Sequence, residues 1–378
     1  MTEWKTYRLA DLCDTISDTY KGCADEVVLI NTSDVLEGKC LNHTKEPNRN
    51  LKGQFKKTFK KYDILYSEIR PANKRFAYID FDATNYIAST KLMVLRHNEK
   101  IEPLYFYYIL QSQSIIDELQ MLAESRSGTF PQITFAELSR LEVKLPNREV
   151  QRQIFGILGA IDDKIENNRR INNNLEQQAH ALYKQWFVDS STVKLGDVVK
   201  TTSGGTPSRS HMEFYVGKYG WVKSKELNSS FITKTEETIT DDAIAKSAAK
   251  LLPAKSILIA MYGATVGQYA ILSQPMTCNQ AVCALLPNEN YPYTYLFMVA
   301  KNIKEELANK AIGSAQQNIS QVIIKDIDIS SDIEKIKQFH KIVCPHFEVM
   351  EKNQKENETL ATLRDTLLPK LMNGEIKL

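Results

Sequence analysis

The sequence repeats itself along most of its length, and the two copies keep one offset at both ends. Each copy opens with a Leu-x-Asp element, carries a short Ile-Thr or Ile-Ser element near its end, and closes with a long mixed polar and apolar run. At an offset of 186 the matched segments are 8–11 with 194–197, 133–135 with 319–321, and 150–186 with 336–372. The offset rises to 193 in the middle, where Asp63-Ile64-Leu65 matches Ser256-Ile257-Leu258. The offset between the two copies is therefore constant at the ends of the repeat and varies in its interior.

A repeat of this length predicts a duplicated globular lobe with a long helix attached, because solenoid units have periods of roughly 20–50 residues. Short strand-like runs accompany one helix in each lobe, at residues 103–125 and 293–311. We expect an α+β fold with two globular lobes, two long antiparallel helices forming a coiled coil, and a pseudo-two-fold internal repeat. The expected segments are a first lobe at 1–149, a first long helix at 150–189, a second lobe at 190–333, and a second long helix at 334–378.

Both long segments carry an apolar seam whose members recur at alternating spacings of four and three residues. The seam positions selected from this pattern are Ile154, Leu158, Ile161, Ile165, Asn168, Asn172, Leu175, Phe347, Met350, Asn357 and Leu360. Such a seam needs a partner helix, and asparagine near the middle fixes the register at a cost in stability. We expect the two helices to pair antiparallel, each roughly 58 Å long. The alternative is two unrelated amphipathic helices, each packed on its own lobe.

The overall charge excludes a uniformly basic nucleic-acid coat, because the net charge is only +2 over 378 residues. Local asymmetry must supply any phosphate-binding surface, and basic residues are concentrated between positions 45 and 75. A solvated surface is the alternative interpretation of the run at 52–61. The six cysteines show no paired or metal-ligand spacing, which is typical of reduced thiols. With no apolar run long enough to span a bilayer and no signal peptide at the N-terminus, we expect a cytoplasmic protein without a membrane partner.

The sequence lacks the motifs of a catalytic centre. It has no GxxxxGK[ST] phosphate loop, no NPPY-like or DPPY-like tetrapeptide and no HExxH, and its six histidines have no convincing ligand spacing. We therefore expect no catalytic residue, no metal and no cofactor in this chain. A chain with ordered lobes and no reactive centre is predicted to recognise a target rather than to transform one.

The order of lobe, long helix, lobe and long helix resembles the specificity (S) subunits of type I restriction–modification systems. Several motifs carry the resemblance, and they are specific when taken together and in order. They are Leu195-Gly196-Asp197 with its divergent twin Leu9-Ala10-Asp11, Gly205-Thr206-Pro207, residues 313–319 with the weaker twin 127–133, residues 145–165 at the first long helix, and residues 363–376 at the C-terminus.

The resemblance implies that the lobes are target-recognition domains, each reading one half of a bipartite site in double-stranded DNA. The helices would set the spacer between the half-sites and dock two methyltransferase (M) subunits. Adenine methylation with S-adenosylmethionine would belong to those partners, and ATP-dependent translocation and cleavage to the restriction (R) subunits of the full complex. This chain would be a non-catalytic recognition subunit.

Candidate DNA contacts were selected as polar and cationic side chains in loops, since base edges are read by hydrogen bonds and phosphates attract cations. In the first lobe they are Arg70, Asn73, Lys74, Arg75, Arg126, Ser127 and Thr129. In the second lobe they are Ser203, Thr206, Ser208, Lys223, Tyr262, Thr265, Ser314, Gln316, Gln317 and Asn318. For any one of them the alternative is an ordinary exposed loop residue. Two rival functions stay open at this point: a coiled-coil adaptor whose lobes bind protein, and an enzyme with a divergent active site.

Overall fold

The computed structural model describes residues 4–49, 53–125, 131–187, 190–312, 318–376 and 378. The chain divides into two compact units, and the division passes through both long helices. Residues 1–163 and 361–378 form the first unit, and residues 164–360 form the second. Each unit therefore contains one lobe together with a part of each long helix.

The first lobe is built from short strands, with helices that follow them in sequence. Its strands are β1 (Lys5–Arg8), β2 (Cys13–Ile16), β3 (Glu26–Ile30), β4 (Val35–Leu36), β5 (Lys39–Cys40), β6 (Glu46–Pro47), β7 (Phe55–Lys57), β8 (Ile64–Ser67), β9 (Phe76–Tyr78), β10 (Tyr86–Ser89), β11 (Leu92–His97) and β12 (Glu142–Leu145). Its helices are α1 (Pro103–Gln111), α2 (Gln113–Glu124) and α3 (Phe135–Leu138), and the long helix α4 (Arg148–Phe187) follows β12.

The second lobe follows the same plan. Its strands are β13 (Thr192–Lys194), β14 (Lys200–Ser203), β15 (Tyr219–Val222), β16 (Phe231–Ile232), β17 (Thr238–Ile239), β18 (Ile257–Ala260), β19 (Tyr269–Leu272), β20 (Thr277–Cys278), β21 (Val282–Leu286) and β22 (Asp328–Ser330). Its helices are α5 (Leu195–Val198), α6 (Asp241–Ala245), α7 (Tyr293–Ile312) and α8 (Gln321–Lys325), and the long helix α9 (Ile333–Met372) follows β22.

The strand order confirms the internal repeat predicted from the sequence. One sheet of the first lobe has the order β2-β11-β8-β9, and its counterpart in the second lobe runs β14-β21-β18-β19 before β16 is added. A second sheet contains β6-β3-β10 in the first lobe and β17-β15-β20 in the second. The pairing directions agree as well, since β3 with β10 and β15 with β20 are both parallel. In each lobe the first and last strands pair antiparallel and so close it, β1 with β12 and β13 with β22.

The helix predicted at residues 103–125 is divided into α1 and α2, whereas its counterpart α7 is continuous. Ser112 breaks it, because this residue takes an extended conformation with ψ 141°. Its hydroxyl donates a hydrogen bond to the carbonyl of Ile109 at 2.7 Å. Serine side chains compete in this way with the helical backbone. The prediction of one helix was wrong at this residue, although both halves pack into the core, through Tyr108 of α1 and Ile115 and Leu119 of α2.

In the second unit, α4 and α9 pair antiparallel through asparagine side chains. The Nδ2 of Asn168 donates to Oδ1 of Asn357 at 3.0 Å and to the Glu356 carboxylate at 2.7 Å. One turn further along α4, Asn353 Nδ2 donates to Asn172 Oδ1 at 2.8 Å. As the residue number increases along α4, the residue number of its partner on α9 therefore decreases, which is the pattern of an antiparallel pair. The predicted antiparallel pairing is confirmed, and each helix, at 40 residues, is about 60 Å long at 1.5 Å per residue.

The seam residues lie buried or half-buried in both units. In the first unit Ile154 and Leu158 join the core of the lobe, together with Leu368 and Leu371 of α9. Asp162 of α4 accepts hydrogen bonds from Tyr108 and from Arg364 of α9, each at 2.7 Å. The remaining seam positions are buried at Ile165, Asn168, Phe347, Met350 and Asn357 and half-buried at Ile161, Asn172, Leu175 and Leu360.

Loss of one asparagine at this seam should destabilise the helix pair more than loss of two. We expect Asn168→Leu to cost about 1–3 kcal/mol, because it leaves the buried Asn357 amide without its partner. The double variant Asn168→Leu/Asn357→Leu should recover most of that loss, since two apolar side chains at a seam pack together. Amide hydrogen exchange of α4 and α9 measures the change, with the α1 peptide as the internal control. Equal protection in wild type and single variant would contradict the assignment.

An ion pair between a buried carboxylate and a half-buried arginine distinguishes the first lobe from the second. Asp63 is 1% exposed, and Arg96 donates to its two carboxylate oxygens at 2.8 and 2.7 Å. In the second lobe the corresponding strand positions are Ser256 and Leu286, and the Ser256 hydroxyl donates to the carbonyl of Pro253. The equivalent pair of strand positions therefore holds two charged residues in the first lobe and two uncharged residues in the second.

Arg96→Leu alone should destabilise the first lobe by about 1–3 kcal/mol, because it leaves the buried Asp63 carboxylate without its charged partner and with the amide of Lys60 as a neutral donor. Adding Asp63→Ser installs the arrangement of the second lobe and should restore most of the stability. Hydrogen exchange of β8 and β11 reports the change, and β18 and β21 of the second lobe serve as reference strands. If the double variant is no more protected than Arg96→Leu, the account of this pair fails.

Candidate nucleic-acid interface

In the second lobe, loops that are distant in sequence are tied together at one end of the central sheet. The chain leaves β18 at Met261, whose amide donates to the carbonyl of Ala281 at 2.8 Å. The carbonyl of Met261 accepts from the amide of Ile319 at 2.9 Å. Tyr262 forms a bridge with Asn318, and the side chain of Asn318 accepts from the next amide, that of Gly263, at 3.3 Å. Residues 262–265, 279–281 and 318 thus form one continuous rim.

The Gly-rich loop after β14 joins the same rim. The amide of Gly205 donates to the carbonyl of Cys278 at 3.0 Å, and the Thr206 hydroxyl donates to Oε1 of Gln280 at 2.5 Å. A Cβ atom on Gly204 would lie 1.8 Å from the Cys278 carbonyl oxygen, so only glycine permits this approach. We call residues 204–208, 262–265, 279–281 and 318 the second-lobe edge.

The first lobe builds the equivalent edge from equivalent elements. The amide of Arg70 donates to the carbonyl of Pro131 at 3.1 Å, and the amide of Ile133 donates to the carbonyl of Glu68 at 2.8 Å. The amide of Glu68 donates to the carbonyl of Lys91 at 3.1 Å. We call residues 68–75, 90–91 and 131–132 the first-lobe edge. In the second lobe, loops that were predicted separately from the sequence are therefore neighbours, and in the first lobe the predicted loop at 70–75 lies next to residues 131–132 and 91.

The loop at residues 70–75 contains two left-handed residues around a short 3-10 helix. Arg70 has φ 46° and Lys74 has φ 52°, and each such non-glycine conformation costs on the order of 1–3 kcal/mol. Arg70 and Asn73 are exposed, and Lys74 is half-buried. The amide of Ala72 is held by Oε1 of Gln120 at 3.0 Å. The surrounding lobe therefore holds a basic loop in a conformation that it would not adopt alone.

Arg75 has an internal role in the lobe. Its Nη1 donates to the carbonyls of Ser33 and Val35, at 3.0 and 3.4 Å. Lys57, also in the basic segment, is half-buried and donates to the carbonyls of Thr90 and Leu92. These cations hold loops of the first lobe together. The concentration of charge at 45–75 is thus partly structural.

In the second lobe, Lys223 belongs to a salt-bridge cluster. Its Nζ lies 2.8 Å from Glu237 and 3.3 Å from Glu236. Arg209 donates bidentate hydrogen bonds to the Glu237 carboxylate at 2.9 and 2.8 Å, and its guanidinium lies 4.0 Å from the ring centroid of Tyr215. The hydrogen bonds from Arg209 and then Lys223 lower the pKa of Glu237 to about 2. The charge of Lys223 is therefore balanced within the lobe, and the cluster braces the loop that follows Thr206.

The remaining residues that were predicted to contact DNA differ in how exposed they are. Ser203 is half-buried at the end of β14, and the exposed Ser208 pairs with the hydroxyl of Ser210 at 2.7 Å. Tyr262 is exposed, and the Thr265 hydroxyl donates to its carbonyl at 3.0 Å. The predictions for Arg126, Ser127, Thr129, Ser314, Gln316 and Gln317 lie outside the described residues.

Sequence reasoning missed Gln280 and Lys91, which occupy the exposed turns between the strands at the two edges. Gln280 lies between β20 and β21, and Lys91 lies between β10 and β11. Neither turn contains glycine or proline, so neither carries the usual sequence signal of a loop. Only the pairing of the strands brings these residues to the edges.

Within the described part of the chain, no group of His, Cys, Asp and Glu side chains could hold a metal ion. Among the same residues, no helix combines the length and apolar character needed to cross a membrane. The exposed groups of the two edges offer hydrogen bonding by amides and hydroxyls, together with the charge of exposed cations.

Comparison with known proteins places this architecture in a family. The family model described as type I restriction modification DNA specificity domain matches residues 1–177 and again residues 188–338. The HindI specificity subunit of Haemophilus influenzae is 33% identical, with the whole of both chains covered. The MjaIX specificity subunit of Methanocaldococcus jannaschii is 26% identical over 72% of this chain and 69% of that subunit.

A solved structure agrees with the fold. The crystal structure of a type I restriction–modification system S subunit from M. genitalium has a TM-score of 0.58 at 17% identity. It covers 98% of this chain and 96% of the other. The twice-matched family model and the full-length relative confirm the resemblance seen in the sequence, and the chain therefore belongs to the type I restriction modification DNA specificity family.

Proposed function

We propose that this chain is the DNA sequence-specificity subunit of a type I restriction–modification complex, and that each lobe reads one half of a bipartite target. One observation carries the proposal: the same loop edge is built twice, on the same strand order, with different side chains at its tips. Similar edges on similar scaffolds bind similar ligands, and different side chains select different base sequences. Two lobes of this kind could bind one DNA duplex at two separate places and read a different base sequence at each.

The chemistry of the edges fits reading rather than catalysis. Amide and hydroxyl groups of the second-lobe edge can donate to and accept from base edges, and the cations of the first-lobe edge can contact phosphates. In the proposed complex, methyltransferase subunits supply the methyl transfer from S-adenosylmethionine, and restriction subunits supply translocation and cleavage. The paired helices would space the lobes and dock the methyltransferase subunits.

Exchange of the second lobe should change one half of the DNA target and leave the other half unchanged. The change replaces residues 191–333 with the corresponding segment of a homologous specificity subunit, in the assembled methyltransferase complex. Mapping of the modified adenines gives both half-sites. A change in both halves at once would rule out modular reading.

The graft should keep the residues that hold the lobe on the helices of its own unit. Glu176 of α4 contacts Ser230 and Lys301, and Glu351 of α9 contacts Lys255 and Ser273. These partners stay unchanged in the graft. A loss of DNA methylation then cannot be attributed to loss of the contacts that hold the lobe on the helices. As a matched control, exchange of residues 1–149 should change the opposite half-site.

The loop at residues 70–75 should contribute to DNA affinity through Arg70 and Lys74. If Arg70→Ala or Lys74→Ala removes a phosphate contact, the slope of log affinity against log salt falls by about 0.9. If it removes a base contact, the loss is about 1–3 kcal/mol at a single base position. Arg75→Ala tests the internal role of that residue and should weaken binding by loosening the loop.

The measurement is a salt titration of cognate duplex binding by the assembled complex. Lys100→Ala is the matched control, because Lys100 is exposed and follows the opposite end of β11. Unchanged affinity and slope in both Arg70→Ala and Lys74→Ala would identify the loop as an ordinary solvated surface.

A further inference from the structure

Building on the proposed function, we propose that Gln280 and Lys91 are specificity-determining residues, Gln280 reading an adenine in one half-site and Lys91 a guanine in the other. They occupy the turn between the same two strands of the repeat, β20 and β21 in the second lobe and β10 and β11 in the first. Both side chains are exposed. The strand register aligns Gln280 with Thr90 and Lys91 with Ala281, so the equivalent turn presents a different base-reading group in each lobe, at adjacent positions.

Gln280 is held in an orientation that suits adenine. Its Oε1 accepts a hydrogen bond from the Thr206 hydroxyl at 2.5 Å, which leaves one lone pair on the oxygen and both amide hydrogens for a ligand. Within the described residues, the amide nitrogen makes no hydrogen bond. In the major groove adenine presents the N7 acceptor beside the N6 donor, and a glutamine amide matches both.

The neighbouring Asn279 is already used inside the lobe. Its side-chain Oδ1 accepts from the backbone amide of Ala281 at 3.2 Å, and its backbone amide donates to the carbonyl of Val222 at 2.9 Å. These contacts pin the turn, in which Asn279 is half-buried and Gln280 is exposed. The inference therefore concerns Gln280 and not the whole turn.

Thr206 is a positioning residue in this arrangement, because it acts on DNA only through Gln280. The preceding residue, Gly205, is fixed through both its amide and its carbonyl. The amide of Gly205 donates to the carbonyl of Cys278 at 3.0 Å, and the indole nitrogen of Trp221 donates to the carbonyl of Gly205 at 3.0 Å. A reading group that is fixed before binding loses less conformational entropy when it meets its base.

Lys91 presents a cation at the corresponding turn of the first lobe. Its amide donates to the Ser89 hydroxyl at 3.3 Å, and its carbonyl accepts from the amide of Glu68 at 3.1 Å. Its ammonium makes no ion pair or hydrogen bond with the described residues. Burial lowers the pKa of nearby Lys57, Glu68 opposes that shift, and the charge of Lys91 adds to it. Guanine presents two acceptors, O6 and N7, to such a cation.

The test compares the bases that wild type and variants select. The full chain, assembled with its methyltransferase subunits, binds a library of duplexes with randomised sequence, and the bound duplexes are sequenced. Gln280→Ala should abolish the preference for adenine at one position of one half-site and weaken binding to the wild-type target about 5- to 150-fold. Lys91→Ala should do the same for guanine at one position of the other half-site.

Gln274→Ala is the matched control, because Gln274 is exposed in the second lobe and its amide donates to the carbonyl of Thr233, away from the edge. It should leave every preference unchanged. Thr206→Val should weaken the preference at the Gln280 position alone, and Thr206→Ser should restore it. Rescue by serine distinguishes orientation of Gln280 from general damage to the loop.

The outcomes separate this inference from the proposed function on which it rests. If the wild-type complex selects no two-part sequence, the proposed function fails. If the wild type selects one but Gln280→Ala and Lys91→Ala keep every base preference and the full affinity, the assignment of these two residues is overturned. A uniform loss of affinity without a change in base preference would also overturn it, because it would identify phosphate contacts.

Discussion

The candidate interface depends on a few backbone hydrogen bonds that join loops distant in sequence. In the second lobe the amide of Met261 and the amide of Ile319 make two of them, and in the first lobe the amides of Glu68 and Ile133 make their equivalents. Backbone groups at the end of a sheet must find partners. Here they find them in neighbouring loops, so different side chains in the two lobes are carried on a rim with the same backbone hydrogen bonds. Side chains at the rim can then change without disturbing the sheet below.

The two lobes show how far the interior and the edge of one scaffold can diverge. The ion pair of Asp63 with Arg96 is replaced in the second copy by Ser256 and Leu286, and the strand order survives. At the edge, Lys91 and Gln280 occupy the same turn. Divergence in the core leaves the fold intact, and under our proposal divergence at the rim changes what the lobe recognises.

Much of the fold could be predicted from the sequence, because the sequence contains two copies of the same pattern of elements. The constant offset at the ends of the repeat and the spacing of the seam predicted two lobes and two paired helices. The break at Ser112 could not be foreseen, because one hydroxyl that bonds to the backbone decides it. The same limit applies to the site: cationic residues can be found by type, but whether Arg75 and Lys223 face solvent or an internal partner depends on tertiary contacts. Gln280 carries no sequence signal and emerges only from strand pairing.

The central claim is that two lobes read two separate half-sites. Sequencing of the modified adenines in DNA from cells that carry the wild-type chain with its methyltransferase subunits tests it most directly. We expect two short defined sequences separated by a constant number of undefined base pairs. A single uninterrupted sequence, or modification without any sequence preference, would contradict the account.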